Sequence, residues 1–292
     1  MGKNAAVEQP SSLRWWLLVM LSVLMLAAVY AVAVLTPAGQ AFENAALRGA
    51  DQVDPLSESD ASKALAEITV WSLAAATAAV GVIGLLRRQP LLAAIAVGVI
   101  VGGQVVTQSL KRFILPRPEL VPVVGDYTGN SFPSGHATIA MTVLVAVFLV
   151  VPYRWRGVAM LVVMTWATGI GTYTLTAKWH RLSDTLGADL VALALGGAAA
   201  LILMRVGRMR RVGGRAFPGR VVLVMLSSAA AATITALGLF LAMSAVGQDL
   251  RDPVVEWNVY LAATCLAFGG SLLAGLVHWG FWHRLEVAPP AR

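Results

Sequence analysis

The chain has 292 residues, of which 58% are hydrophobic and only 13% charged, and its mean hydropathy is +0.74. Soluble domains carry about a quarter charged residues, so the composition excludes an ordinary soluble enzyme and makes lipid the solvent for most of the chain. A formal charge of +7 and a single cysteine, Cys265, complete the frame: the charge is not read as a nucleic-acid signal, because basic residues here take their meaning from the loops that hold them, and one cysteine excludes an intramolecular disulfide or a multi-cysteine metal cluster.

A helix crossing about 30 Å of hydrocarbon needs roughly 20 apolar residues. In chain order, such runs predict spans near residues 15–35, 68–86, 91–110, 137–151, 158–176, 184–204, 221–246 and 259–279. The first is too long for a signal-peptide core and no convincing small-x-small site follows it, so it is expected to stay as an anchor. The 40–63 loop, with Glu43, Asp51, Asp54, Glu58 and Asp60, is expected as a short amphipathic segment at the outer face. The fourth span is short and is expected to begin at headgroup level. The expected fold is an all-α polytopic bundle, divided into a tail (1–14), a six-helix core (15–204), a basic linker (205–220) with Gly213, Gly214 and Pro218, and a two-helix C-terminal appendage (221–292). Trp15, Trp16, Tyr153, Trp155, Trp179, Trp257, Tyr260, Trp279 and Trp282 fall at span ends and are expected as interfacial anchors. In the last span, Gly269, Gly270 and Gly275 permit close helix approach, including between copies of the chain.

Cytoplasmic loops retain lysine and arginine. With the N-terminus inside, Lys3, Arg14, Arg87, Arg88, Arg154, Arg156, Arg205, Arg208, Arg210, Arg211, Arg215, Arg220, Arg284 and Arg292 are cytoplasmic, 14 of the 22 basic residues. Both termini are then cytoplasmic, and the basic linker is expected to attract anionic lipid headgroups. Of the other eight, Lys111, Arg112, Arg117, Lys178 and Arg181 crowd into two short outer loops. They break the sorting rule there, which points to another use.

Three polar segments share that outer side. Lys111 and Arg117-Pro118 end the third span; alone, such cations are also explained by snorkelling. Pro133-Ser134-Gly135-His136 leads into the fourth span, where free N–H groups and the positive helix end form an anion site, or else an ordinary capped turn. His180 and Asp184 are four residues apart, one helical turn, so the carboxylate can take the Nδ1 proton and leave the other nitrogen free to attack. Taken singly, that pair also reads as a solvated histidine and a helix cap. Two histidines, an aspartate and a cation cluster at one membrane face are hard to explain as packing.

Lys-x5-Arg-Pro, then Pro-Ser-Gly-His, then His-x3-Asp, in that order across residues 111–184, resembles the type 2 phosphatidic acid phosphatase (PAP2) superfamily, which includes vanadium haloperoxidases. The resemblance implies a core of six transmembrane helices and metal-independent hydrolysis with no cofactor. It implies that His180 is the nucleophile that becomes phosphohistidine, that Asp184 orients it, and that His136 is the general acid and then the base. Lys111, Arg117, Ser134 and Gly135 would hold the phosphoryl oxygens. Two departures stand out. Five residues, not six, separate Lys111 from Arg117, so Arg112 is an alternative participant. The Ser-Arg of the third motif is replaced by Tyr173 and Thr174, and Arg181 or Lys178 is expected to supply the lost charge.

The expected function is therefore a cell-membrane phosphatase acting on a lipid phosphate or polyprenyl diphosphate at the outer leaflet. A phosphotransferase using the same residues, and a non-enzymatic transport or binding protein, are the alternatives. Asp189, about 140° around the helix from Asp184, is left outside the catalytic set, and Gln104, Thr107 and Gln108 are read as lining the site or joining helices.

Overall fold

A computed structural model describes residues 11–123, 129–213 and 218–288; Lys3, Gly214, Arg215 and Arg292 lie outside the described residues. The architecture is an all-α bundle, and the eight apolar runs are all helical. They form α1 (Ser12–Val29), α4 (Val70–Leu86), α5 (Pro90–Ser109), α6 (Gly135–Val150), α7 (Arg156–Thr176), α8 (Leu182–Arg205), α9 (Pro218–Ser244) and α10 (Pro253–Phe281), with α2 (Pro37–Ala50) and α3 (Pro55–Ala66) between the first two. Among the described residues six helices are long and apolar enough to cross a membrane, and α3 with α4 passes the same test as a pair bent by 57°. The chain is a multi-pass membrane protein.

Helix α6, at 16 residues, is the shortest of the eight, and twelve of its residues are buried. A helix apolar on all sides belongs inside a bundle, and α6 is packed by α5, α7, α8, α4 and α10. Its 16 residues reach about 24 Å, less than the hydrocarbon core. Helix α9, in contrast, buries only Ala231 and Gly238 and leaves its other residues half-buried or exposed.

The 40–63 segment differs from a surface amphipathic strip. It forms two helices, each started by a capping side chain and a proline at its first turn: Thr36 with Pro37 and Asp54 with Pro55. Helix α2 packs against α10 with Gln40, Glu43 and Asn44 buried. At Gly49 an added Cβ would lie 2.1 Å from the Glu256 carbonyl oxygen, so only glycine allows this approach. Gln40 is tolerated inside because its amide bonds the Val34 and Pro118 carbonyls and the N–H groups of Leu120 and Val121.

Helix α10 packs against α2, α7, α8 and α6 as well as against α9. Asp189 of α8 accepts the Ser271 hydroxyl of α10 at 2.9 Å, and Thr107 meets Thr138 at 3.0 Å to join α5 to α6. Gly269, Gly270 and Gly275 receive Thr235, Leu186 and Met164 of neighbouring helices in the same chain. Part of the basic linker forms β1 (Met209–Arg211), paired antiparallel with β2 (Leu285–Val287) just after α10. Among the aromatic residues expected as interfacial anchors, Trp16, Trp155 and Trp179 are exposed, but Trp15, Trp279, Trp282 and Tyr260 are buried. Trp15 lies 5.4 Å from Trp282, ring to ring: mutual packing claims these rings before the headgroup region does.

Candidate active site

The three polar segments converge at one end of the bundle. Ser134 caps α6, its Oγ accepting the Ala137 N–H at 3.2 Å, and its own N–H donates to the Asp184 carbonyl at 2.9 Å. That bond ties the start of α6 directly to the start of α8. The approach is close because Gly187 faces Phe132: an added Cβ would come within 2.7 Å of the ring.

The loop from α7 to α8 folds back on itself. The Thr174 carbonyl accepts the N–H groups of both Trp179 and His180 at 3.0 Å, and Lys178 takes a positive φ of 61° at the reversal. His180 Nδ1 then lies 3.1 Å from Asp184 Oδ2, which also accepts the Arg181 N–H at 2.9 Å. Asp184 is fully buried and His180 is 8% exposed. The carboxylate holds the imidazole by one nitrogen and leaves the other directed away from it. The His136 ring centroid is 6.1 Å from that of His180, and Trp179 packs edge-on against His136 at 5.3 Å.

Lys111 stands in a π-helical turn, Leu110–Ile114, that ends α5. Such a wide turn re-aims a side chain; here Lys111 is half-buried, whereas Arg112 is exposed. Asn130 donates to the Lys111 and Leu115 carbonyls at 2.9 and 2.6 Å and fastens the turn. Gln108 reaches the start of α6, 3.6 Å from where a Gly135 Cβ would stand.

Arg117 is paired with Glu43, which lies in the stretch expected as an amphipathic segment at the outer face. Its Nη2 donates to Glu43 Oε2 at 3.1 Å with side chains 5% and 3% exposed, and Glu43 Oε1 accepts the Ser183 N–H at 3.0 Å. Burial, and then the charge of Asp184, push the Glu43 carboxyl upward against the pull of Arg117 and Ser183. Arg181 donates to Ser131 Oγ at 3.0 Å. Burial and the nearby Arg117 lower it from its ordinary value while Asp184 and Glu43 oppose them; a guanidinium starts high enough to stay cationic. Lys178 is turned to Asp51 and Glu58, at 2.8 and 3.0 Å. Thr174, in the place of the family arginine, is fully buried and bonds Gly171.

A polar cavity of about 200 Å³ lies over His180, Arg181, Asn130, Ser131, Lys178 and Trp179. Behind Glu43 and Ser183 is a second cavity of about 450 Å³ with almost wholly apolar walls, among them Val32, Ala33, Phe42 and Leu186.

Residues 90–211 match the family model of the PAP2 superfamily. That match supports assignment of the segment to the PAP2 superfamily. The matched segment runs from the start of α5 through β1 and contains all eight site residues expected from the sequence: Lys111, Arg117, Ser134, Gly135, His136, His180, Arg181 and Asp184. PAP2 proteins are usually phosphatases, so the match and the membrane-span helices together support a membrane protein of phosphatase type. Neither the curated proteins nor the solved structures gave a match to the chain. Glu43 and part of the apolar cavity wall, including Val32, Ala33 and Phe42, lie outside the PAP2 segment, whereas Ser183 and Leu186 lie within it.

Proposed function

We propose that the chain is an integral membrane phosphatase that cleaves a lipid phosphate or polyprenyl diphosphate presented at the outer leaflet, through a phosphohistidine on His180. The observation that carries the reading is the pairing of His180 with Asp184 at 3.1 Å, with His136 facing it at a ring separation of 6.1 Å. That spacing suits a phosphorus atom approached by one imidazole and a bridging oxygen bonded to the other.

The Nε2 lone pair of His180 attacks phosphorus as the ester bond to the leaving oxygen breaks, and His136 gives that oxygen a proton. Water then attacks the phosphohistidine, His136 takes its proton, and the nitrogen–phosphorus bond breaks to release phosphate. Asp184 holds the Nδ1 proton throughout. Lys111, Arg117, Arg181, Ser134 and the Gly135 N–H stabilise charge on the equatorial oxygens, Arg181 in the place of the missing family arginine. The apolar cavity behind Ser183 supports a substrate whose tail stays in the hydrocarbon.

The test is phosphate release from a panel of lipid phosphates by the detergent-purified chain in EDTA. Release that vanishes in His180→Ala is expected. Transfer of the phosphoryl group to an alcohol in place of release would favour a phosphotransferase, and substrate transport without either would favour a non-enzymatic protein.

A further inference from the structure

At the far end of α6 and α7 from the two histidines, a second cationic site is built into the bundle. Arg156 opens α7 and is 2% exposed. Its Nη1 donates to the Leu285 carbonyl at 2.7 Å, while Nε and Nη2 are buried without a hydrogen-bond partner. The guanidinium lies 4.4 Å from the Phe148 ring centre and 5.9 Å from that of Trp282, whose indole N–H is likewise buried and unpartnered. No carboxylate is bonded to Arg156 among the described residues. The nearby Glu286 is taken by Arg210, at 2.8 Å. A buried cation with unfilled donors is costly unless an anion comes to it.

Room for that anion lies alongside. Arg156 and Trp282 border a cavity of about 470 Å³ between the ends of α6 and α10 and the start of α9. Arg220 enters the same cavity, stacked on Tyr153 at 4.1 Å and donating to its carbonyl at 2.6 Å. The remaining wall is mostly apolar, with Val224 and Leu276 along it. At its rim Val221 and Met225 of α9 are 44% and 66% exposed on the outward side of the bundle. Two forked cations at one end and an apolar trough opening outward at the other match a phosphate headgroup joined to an acyl chain.

We infer that this cavity binds one anionic phospholipid, its phosphate held by Arg156 and Arg220 and its chain laid against Val224 and Leu276. The site differs from a general attraction of basic loops to a charged surface, because Arg156 is inside the bundle. It is separated from His136 by the length of α6, about 24 Å, and it shares no residue with the proposed phosphatase site.

The experiment measures lipid binding to the full chain in detergent by native mass spectrometry, with dioleoylphosphatidylglycerol, dioleoylphosphatidylcholine and inorganic phosphate as probes. The anionic lipid is expected to bind at least about tenfold more tightly than the zwitterionic one, and about tenfold more weakly in Arg220→Gln and in Ser228→Trp, where Ser228 of α9 lines the cavity and the indole fills it. Both variants should keep whatever phosphate release the unmodified chain shows. Arg156→Gln, where it folds, should lose the preference for the anionic lipid. Equal binding of the two lipids, unchanged binding in both Arg220→Gln and Ser228→Trp, or inorganic phosphate held as tightly as lipid would each overturn the assignment. Because the readout is bound lipid, it is independent of whether His180 carries a phosphoryl group.

Discussion

Arg117 and Glu43 form an ion pair whose side chains are 5% and 3% exposed, and the free oxygen of Glu43 accepts the Ser183 N–H one residue before Asp184. A carboxylate from α2 thereby fixes both a proposed phosphate-binding arginine and the first turn of α8. Removing one partner of such a pair costs about 3–5 kcal/mol, because it strands the other charge. Glu43→Ala should therefore lower the thermal midpoint in detergent and reduce turnover. Glu43→Leu combined with Arg117→Met should recover most of the stability without the turnover. If Glu43→Ala unfolds like the unmodified chain, the pair does not hold this end together.

Arg181 and Lys178 both stood as replacements for the missing arginine, and their surroundings now separate them. Arg181 is turned inward, to Ser131, whereas Lys178 is engaged by Asp51 and Glu58. Steady-state kinetics should show kcat/KM falling about 100-fold in Arg181→Ala, the scale of one lost charge-stabilising donor, with Lys178→Ala within a few-fold of the unmodified chain. Ordinary kinetics in Arg181→Ala would remove that residue from the phosphate site.

Asp184→Asn keeps the size of the side chain but presents an amide to His180 Nδ1, favouring the wrong tautomer. In the Ser-His-Asp template the equivalent change costs about 10⁴ in turnover. A fall in kcat of about 10²–10⁴ with a KM little changed is expected. A change confined to KM would mean that Asp184 serves binding and not orientation of His180.

The cavity bordered by Phe42 and Leu186 should distinguish substrates by tail. Leu186→Trp would fill it and should raise KM for a long-chain lipid phosphate, leaving a short-chain, water-soluble analogue unaffected. Equal effects on both analogues would place the tail elsewhere.

Much of this architecture is legible in the amino-acid order. Apolar run length marks the eight helices, and motif order with topology brings His136, His180 and Asp184 to one end. Glu43 falls in the 40–63 stretch, whose composition reads as a short amphipathic segment at the outer face and does not announce a buried partner for Arg117. The available signal was local: Thr36-Pro37 announces a helix start, and Glu43 then stands on that helix between Phe42 and Ala45-Ala46. Trp15 and Trp282 were misplaced for a related reason, since position along a span does not tell whether a ring meets lipid or another ring. The β1–β2 pair and the bond from the Ser271 hydroxyl to Asp189 join segments far apart in the chain, 82 residues for the latter, and nothing in either stretch alone announces its partner.

The central claim is that His180 carries the phosphoryl group and His136 moves the protons, and pre-steady-state turnover of a 4-nitrophenyl phosphate ester tests it most directly. Nitrophenolate leaves without a proton, so His136→Ala should still form the intermediate but hydrolyse it slowly. The account predicts a burst of about one nitrophenolate per active site in His136→Ala, with the phosphoryl group recovered on His180, and no burst in His180→Ala. A burst that survives in His180→Ala, or a phosphoryl group found on any other residue, would contradict it.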